Sequence, residues 1–429
     1  MKIELPESLF PIEGFGGVHD DLYVRALLLQ GQGGAQPRKY PLRVGVPFLI
    51  VCFDATSLRP YAIQAFRAQA AEAAGIPQEN VWLCVSHTFS APHLRSEEAL
   101  AREGGEVARK NEVLFASMTA AMQSAIAQAK ASLEETQPVI GNAYCAVNVN
   151  RDMLTAQGWW LGADDLGESD KTVPFVKFLR PDGQTKAVLY SCDVQSSVMD
   201  HSKGADGRSQ VTGDLVGAAS RFIEAQYGDG FVALFLLGAA GDQAPLFKAK
   251  HNIPNRDGSI EETDIGDEGF VLVNALGKKL GAQVVQAMER VKQPFQPGEA
   301  TLRQTTINCP GQKIAPNLKD IHPTKSYDFQ PEGERTVAVS YLTLGHVALV
   351  GLGPELSSTT AIDIKKDSPY PLTIVATMVN GGDKYMPEHT AYDRITYEAM
   401  NSKFAKGSAE LVHRHITETL KSIQKEGTT

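Results

Sequence analysis

Six short apolar runs, each closed by a polar residue or a glycine turn, constrain this chain more than any other feature. Val44 to Phe53 stops at Asp54, Val81 to Ser86 at His87, and Ala187 to Cys192 at Asp193. Phe231 to Gly241 stops at Asp242, Val347 to Pro354 at Glu355, and Leu372 to Val379 at Asn380, Gly381 and Gly382. Near-continuous Val, Ile, Leu and Phe is the pattern of strands buried on both faces of a sheet covered by helices. Apolar residues at three- and four-residue spacing predict helices over Tyr61 to Ala74, Asn111 to Leu133, Gly213 to Tyr227, Gly269 to Val291 and Met400 to Ile423. The expected fold class is therefore α/β, a mixed, mostly parallel sheet flanked by helices. No repeat and no Pro/Ser-rich linker divides the chain, so one domain over residues 1–429 is expected.

In open α/β sheets, ligands bind outside the carboxyl ends of the strands, so the six endings would share one crevice. Taken singly, each has a plain explanation, because a strand reaching solvent must end in something polar. Taken together, a His, carboxylates and glycine-rich turns compose a metal site or an acid–base site.

Composition narrows the function. A net charge of −9, with no long basic run, argues against nucleic acid and anionic membrane surfaces as partners. Cys52, Cys84, Cys145, Cys192 and Cys309 are odd in number and lack a CxxC pair, which argues against a disulfide framework or a thiolate zinc cluster. Met1 to Gly17 has no basic stretch followed by an apolar one, and the longest apolar run, Phe231 to Ala240, is too short to span a bilayer. A cytoplasmic location is expected.

The stretch Ser86-His87-Thr88-Phe89-Ser90-Ala91-Pro92-His93 places imidazoles at a strand tip. It resembles the THTHSGP motif of the neutral/alkaline non-lysosomal ceramidases, zinc-dependent amidases. The resemblance continues in order along the chain, through Asn150-Arg151, the GAAGDQAP turn of Gly238 to Pro245, and Gly353-Pro354-Glu355. It is strongest in the tail from Asn380, where Tyr385 and Tyr397 stand twelve residues apart and Glu398 follows Tyr397. The family's secretion signal and C-terminal immunoglobulin-like domain have no counterpart here, so the chain looks like a short, intracellular relative.

The resemblance implies that His87, Glu355 and Tyr385 are zinc ligands. The family's remaining ligand is a His at the end of the strand matching Ala187 to Cys192, where this chain has Asp193. An Asp makes the site harder and more anionic, so Mn2+ or another divalent metal competes with Zn2+. His201, in the following loop, is the rival fourth ligand and otherwise a substrate contact. Phe89 replaces the family's second His, and His93 is its candidate substitute in substrate binding, alongside Asn150. Ala244 replaces a serine of the family's GDxSP turn, which removes a nucleophile there.

Arg151 and Tyr397 are candidate donors to a developing oxyanion, and Asp242 is a candidate proton donor. Each has a structural rival: a surface ion pair of Arg151 with Asp152, a packed Tyr397, and an Asx-type turn bond of Asp242. The expected protein is a metal-dependent hydrolase that cleaves an amide of a small soluble N-acyl substrate with metal-activated water. A metal-assisted isomerase, racemase or lyase acting next to a carbonyl is the alternative, and an inactive metal- or ligand-binding protein the third reading. Trp159-Trp160 either walls a pocket or anchors a second subunit, so a homo-oligomer is allowed.

Overall fold

The computed structural model describes residues 1–30, 47–255, 259–295, 300–314 and 321–426. All six apolar runs form strands: Phe48–Phe53, Val81–Val85, Thr185–Cys192, Val232–Leu237, Val347–Leu352 and Leu372–Ala376. Residues 44–46 of the first run lie outside the described residues.

These strands pair in parallel with one another, Phe48–Phe53 with Val81–Val85, Thr185–Cys192 with Val232–Leu237, and Val347–Leu352 with Leu372–Ala376. The sheets as wholes are mixed and largely antiparallel, which corrects the expectation of a mostly parallel sheet. Each parallel pair is extended by antiparallel strands: Val24–Leu29 in the first sheet, Thr172–Leu179 and Gln137–Tyr144 in the second, Pro331–Leu344 and Ala300–Gln312 in the third. The added strands escaped the apolar-run criterion because several have one wet face. Ala300–Gln312, for example, alternates exposed and half-buried positions over much of its length.

The two-residue alternation of side chains sorts these strands into layers. In Phe48–Phe53, Leu49, Val51 and Phe53 join a core with the helices Pro60–Ala74, Gly105–Ala131, Asp214–Tyr227 and Gly269–Arg290. Phe48, Ile50 and Cys52 join a second core with Leu189, Leu234, Leu342, Leu349 and Ile374, side chains of all three sheets. Tyr341, Val350 and Val375 turn the other way, onto Ala361 and Ile364 of the helix Ser358–Asp367 and Val412, Ile416 and Leu420 of Ser408–Glu426. The result is helix, sheet, sheet and helix stacked in four layers. Each fully buried Phe, Leu or Ile contributes about 1.5–3 kcal/mol against exposure.

Four predicted helices are present with ends shifted by up to six residues, while the last begins at Ser408 rather than Met400. There Ser402 Oγ donates to the Tyr385 carbonyl at 2.7 Å and Gly407 takes φ +94°, so side-chain bonding and a left-handed turn interrupt the helical pattern. Among the described residues, no helix is long and apolar enough to cross a membrane.

Asn380 stitches the carboxyl edges together. Its Oδ1 accepts from the Leu83 N–H and its own N–H donates to the Leu83 carbonyl, both at 2.8 Å. Thr377 N–H likewise donates to the Leu237 carbonyl at 2.9 Å. Strand ends from separate sheets are thereby fixed to one another.

Candidate active site

His87 follows Val81–Val85 in a left-handed conformation, φ +58°, a position that costs a non-glycine residue about 1–2 kcal/mol. A reciprocal clamp holds it there: Thr56 Oγ1 donates to the Thr88 carbonyl, and His87 Nδ1 lies 2.6 Å from the Thr56 carbonyl. A carbonyl only accepts, so Nδ1 carries the proton and Nε2 is left with a lone pair in the neutral ring. Nε2 is buried with no hydrogen-bond partner. It faces Glu355 Oε2 at 3.2 Å.

Glu355 is 6 % exposed and sits in a two-residue strand paired in parallel with Tyr385-Met386. Burial would raise its carboxyl, but His87, Arg151 and Lys384 together hold it below the ordinary Glu range. Gln195 Nε2 approaches Glu355 Oε2 at 3.4 Å. Gln195 reaches the site because the chain leaves Thr185–Cys192 through two tight turns, Val194 N–H to the Cys192 carbonyl and Ser197 N–H to the Gln195 carbonyl. Ser196 then runs beside Thr88, and its carbonyl accepts from the Phe89 N–H at 3.0 Å.

Arg151 closes the far side. Its Nη1 donates to Gln195 Oε1 at 2.8 Å, and its Nε to Glu398 Oε1 at 2.6 Å. The guanidinium carbon lies 5.1 Å from the Tyr385 ring and 5.8 Å from the Tyr397 ring, within cation–π range. Burial, reinforced by Glu355, pushes the Tyr385 phenol well above its usual value despite Arg151, so its hydroxyl is neutral. Asn401 Nδ2 donates to the Tyr397 hydroxyl at 3.1 Å, which leaves the Tyr397 proton free to be donated elsewhere. Behind Arg151, burial and then Glu398 push the Asp152 carboxyl up, against the pull of Arg394, whose Nη2 lies 3.4 Å from Asp152 Oδ2.

The structure thus gathers His87, Glu355, Tyr385, Arg151 and Tyr397. Asp193 faces a different neighbourhood: Oδ1 accepts from the Ala239 N–H at 3.0 Å, and Oδ2 lies 3.4 Å from Ser358 Oγ and 3.7 Å from Lys365 Nζ. Gly238 makes that approach available, because a Cβ there would stand 1.9 Å from Asp193 Oδ1. Asp242 Oδ1 accepts from the Ser358 N–H at 2.9 Å, at the start of the helix Ser358–Asp367, and Oδ2 accepts from Asn150 Nδ2 at 3.2 Å. Burial and then Glu388 raise its carboxyl to about 7. Asn150 is spent on the Glu168 carbonyl, Asp242 and the Asp152 N–H, which makes it a brace for the strand carrying Arg151. His201 is 85 % exposed beside Asp200, and His93 pairs with Glu13 at 2.9 Å.

Gln195, Glu398 and Thr56 were not legible as site residues. Glu398 adjoins Tyr397 in the tail, which was its available signal. Gln195 lies two residues beyond the strand's end, where only the backbone turns reveal its direction.

The donor set bears on a metal. Two lone pairs facing each other at 3.2 Å, on His87 Nε2 and Glu355 Oε2, call for a proton or a cation between them. Donors about 2.0–2.2 Å from a tetrahedral cation stand roughly 3.4 Å apart, so the pair fits as two anchors. Among the described residues, no three His, Cys, Asp or Glu side chains converge, and Gln195 turns its amide nitrogen, a hydrogen-bond donor, toward Glu355.

The four-layer fold defines a structural class. It is similar to that of a neutral ceramidase from Pseudomonas aeruginosa, with a TM-score of 0.71 and 15% identity over 96% of this chain and 70% of that one. A ceramidase complexed with C2 gives a TM-score of 0.73 and 15% identity over 98% of this chain and 72% of that one. No family model and no curated protein sequence matches the chain. At this identity the likeness is one of fold.

Proposed function

We propose that this chain is a hydrolase that cleaves the amide bond of a small soluble N-acyl substrate, using a divalent cation held by His87 and Glu355. The observation that carries the reading is the buried, unpartnered His87 Nε2 facing Glu355, with Arg151, Tyr385 and Tyr397 gathered around it. The ceramidase-like fold supports an amide as the bond attacked.

When bound, the cation supplies Lewis acidity toward the scissile carbonyl. The chain's own residues do the rest. Glu355, kept ionised, would hold the cation through Oε2, the oxygen facing His87, while its other oxygen accepts a proton from the attacking water and passes it to the departing amine. Glu398 Oε1 lies 2.6 Å from both Nε and Nη2 of Arg151, so the guanidinium supplies fixed positive charge, and the free Tyr397 proton is the donor for the developing oxyanion. Gln195 and Glu398 hold the guanidinium in place, and the edge of Phe89 against the His87 ring, 4.7 Å between centroids, limits water at the imidazole. Ala244 is buried and offers no nucleophile. The five free, buried cysteines support a cytoplasmic setting.

The test is release of amine and acid from a panel of N-acyl compounds by protein of measured metal content, with His87→Ala as control. Turnover that depends on His87 is expected. Folded, metal-loaded protein that releases neither product from any compound sinks the reading.

A further inference from the structure

Beside the His87–Glu355 pair stands a group of three cations, Lys384, Arg59 and Lys403, in which the single ion pair within 4.0 Å among the described residues is that of Lys403 with Asp383. Lys384 adjoins Tyr385, and its carbonyl accepts from the Glu355 N–H at 2.9 Å. It is half-buried and held at φ +66°, outside the region a lysine ordinarily occupies. Its ammonium makes no hydrogen bond or ion pair with any described residue. The loop before it packs toward the segment that carries Arg59, for a Cβ on Gly382 would stand 3.9 Å from Ser57 Cβ. Arg59 spends only Nε, donated to the Leu94 carbonyl at 2.9 Å. Lys403 has a single loose partner, Asp383, at 4.0 Å.

The fields of Lys403 and Arg59 both reach Lys384. The acids nearby are Glu355, already facing His87 and Gln195, the half-exposed Asp383, and Glu98, whose neighbourhood includes Arg59. Like charges held together at the edge of a buried site repel, and an anionic ligand relieves that repulsion. Arg59 has two nitrogens left for a planar carboxylate, and Lys384 adds a point charge beside the reacting groups.

We infer that the substrate bears a carboxylate, which docks on Lys384 and Arg59 while its amide lies against His87 and Glu355. The class is N-acyl amino acids and similar small amido acids. This rests on the hydrolase reading for the reaction but not for the binding.

The probes are N-acetylphenylalanine and N-acetylphenylalaninamide, equal in shape and different in charge. Each is measured twice on the metal-loaded protein, by calorimetric binding and by acetate release. The acid is expected to bind at least tenfold tighter than the carboxamide. Lys384→Met and Arg59→Gln should each shrink that ratio severalfold, and Lys384→Arg should retain most of it. Equal binding of the two probes, no binding of either, or a ratio unchanged in both Lys384→Met and Arg59→Gln overturns the inference. Charge-selective binding without acetate release keeps the inference and removes the hydrolase reading. Equal release from both probes does the reverse.

Discussion

Two buried polar clusters occupy the carboxyl ends of the strands, and their charges are handled differently. Around Lys365, the ammonium lies 2.9 Å from Asp170 and 3.7 Å from Asp193, and Asp193 also accepts from Ala239. Each charge there has an opposite partner, and the group ties the helix Ser358–Asp367 to the strand Thr185–Cys192. Around His87, one ring nitrogen is anchored and the other is left unpaired against a carboxylate, with the guanidinium of Arg151 held nearby by Gln195 and Glu398. Paired burial serves the architecture; unpaired burial costs stability and persists where chemistry uses it.

The comparison breaks first at His87. His87→Ala should lower the rate of amine release about 10²–10⁴-fold while leaving the melting temperature nearly unchanged. A large fall in melting temperature with little change in rate would reverse the roles assigned to the two clusters. Lys365→Met should do the opposite. Removing the ammonium strands two carboxylates, and a loss of about 2–4 kcal/mol is expected by urea titration, since Lys365 is only 19% exposed. A stability equal to the parent's would mean that the ion pairs hold nothing.

The pH dependence sharpens the contrast. Burial, only partly offset by Lys365, raises the Asp193 carboxyl to about 6, above its unfolded value near 3.9. Between those two values the native state binds more protons than the unfolded chain, so this group's contribution to stability falls as pH rises and levels off above about 7. Asp193→Asn keeps an acceptor for Ala239 and removes the titration. Unfolding free energies should converge at low pH and separate in favour of the variant as pH rises through the window, by about 1.4 kcal/mol for each unit of the shift. Parallel profiles would contradict the assignment. The smallest effect concerns Gln195→His, which adds an imidazole beside Glu355. About tenfold tighter divalent-metal binding, read by competition with a chelator, is expected, and unchanged affinity would place Gln195 outside the coordination site.

Much of the site was readable in the chain because strands buried on both faces announce themselves and their endings are easy to find. His87 and Glu355 came from that pattern, and Arg151, Tyr385 and Tyr397 from the ordered resemblance. Asp193 was read toward the metal because it stands where the resemblance places the family's remaining His, and a position in the sequence does not say whether the chain turns at the strand's end. The bond from Val194 N–H to the Cys192 carbonyl redirects the backbone, so that Gln195 arrives where Asp193 was expected. The antiparallel flanking strands were missed for another reason. Their register is set by partners distant in sequence, and a half-wet strand such as Ala300–Gln312 carries too little apolar continuity to stand out.

The bonds between Asn380 and Leu83 join residues 297 positions apart. One half of the His87–Glu355 pair is therefore made well before the other in translation. A nascent chain emerging from the ribosome holds His87 long before Glu355 and Tyr385 exist, and long-range closures of this kind form late. The facing pair is thus complete only when the segment carrying Glu355 and Tyr385 folds back onto the one carrying His87.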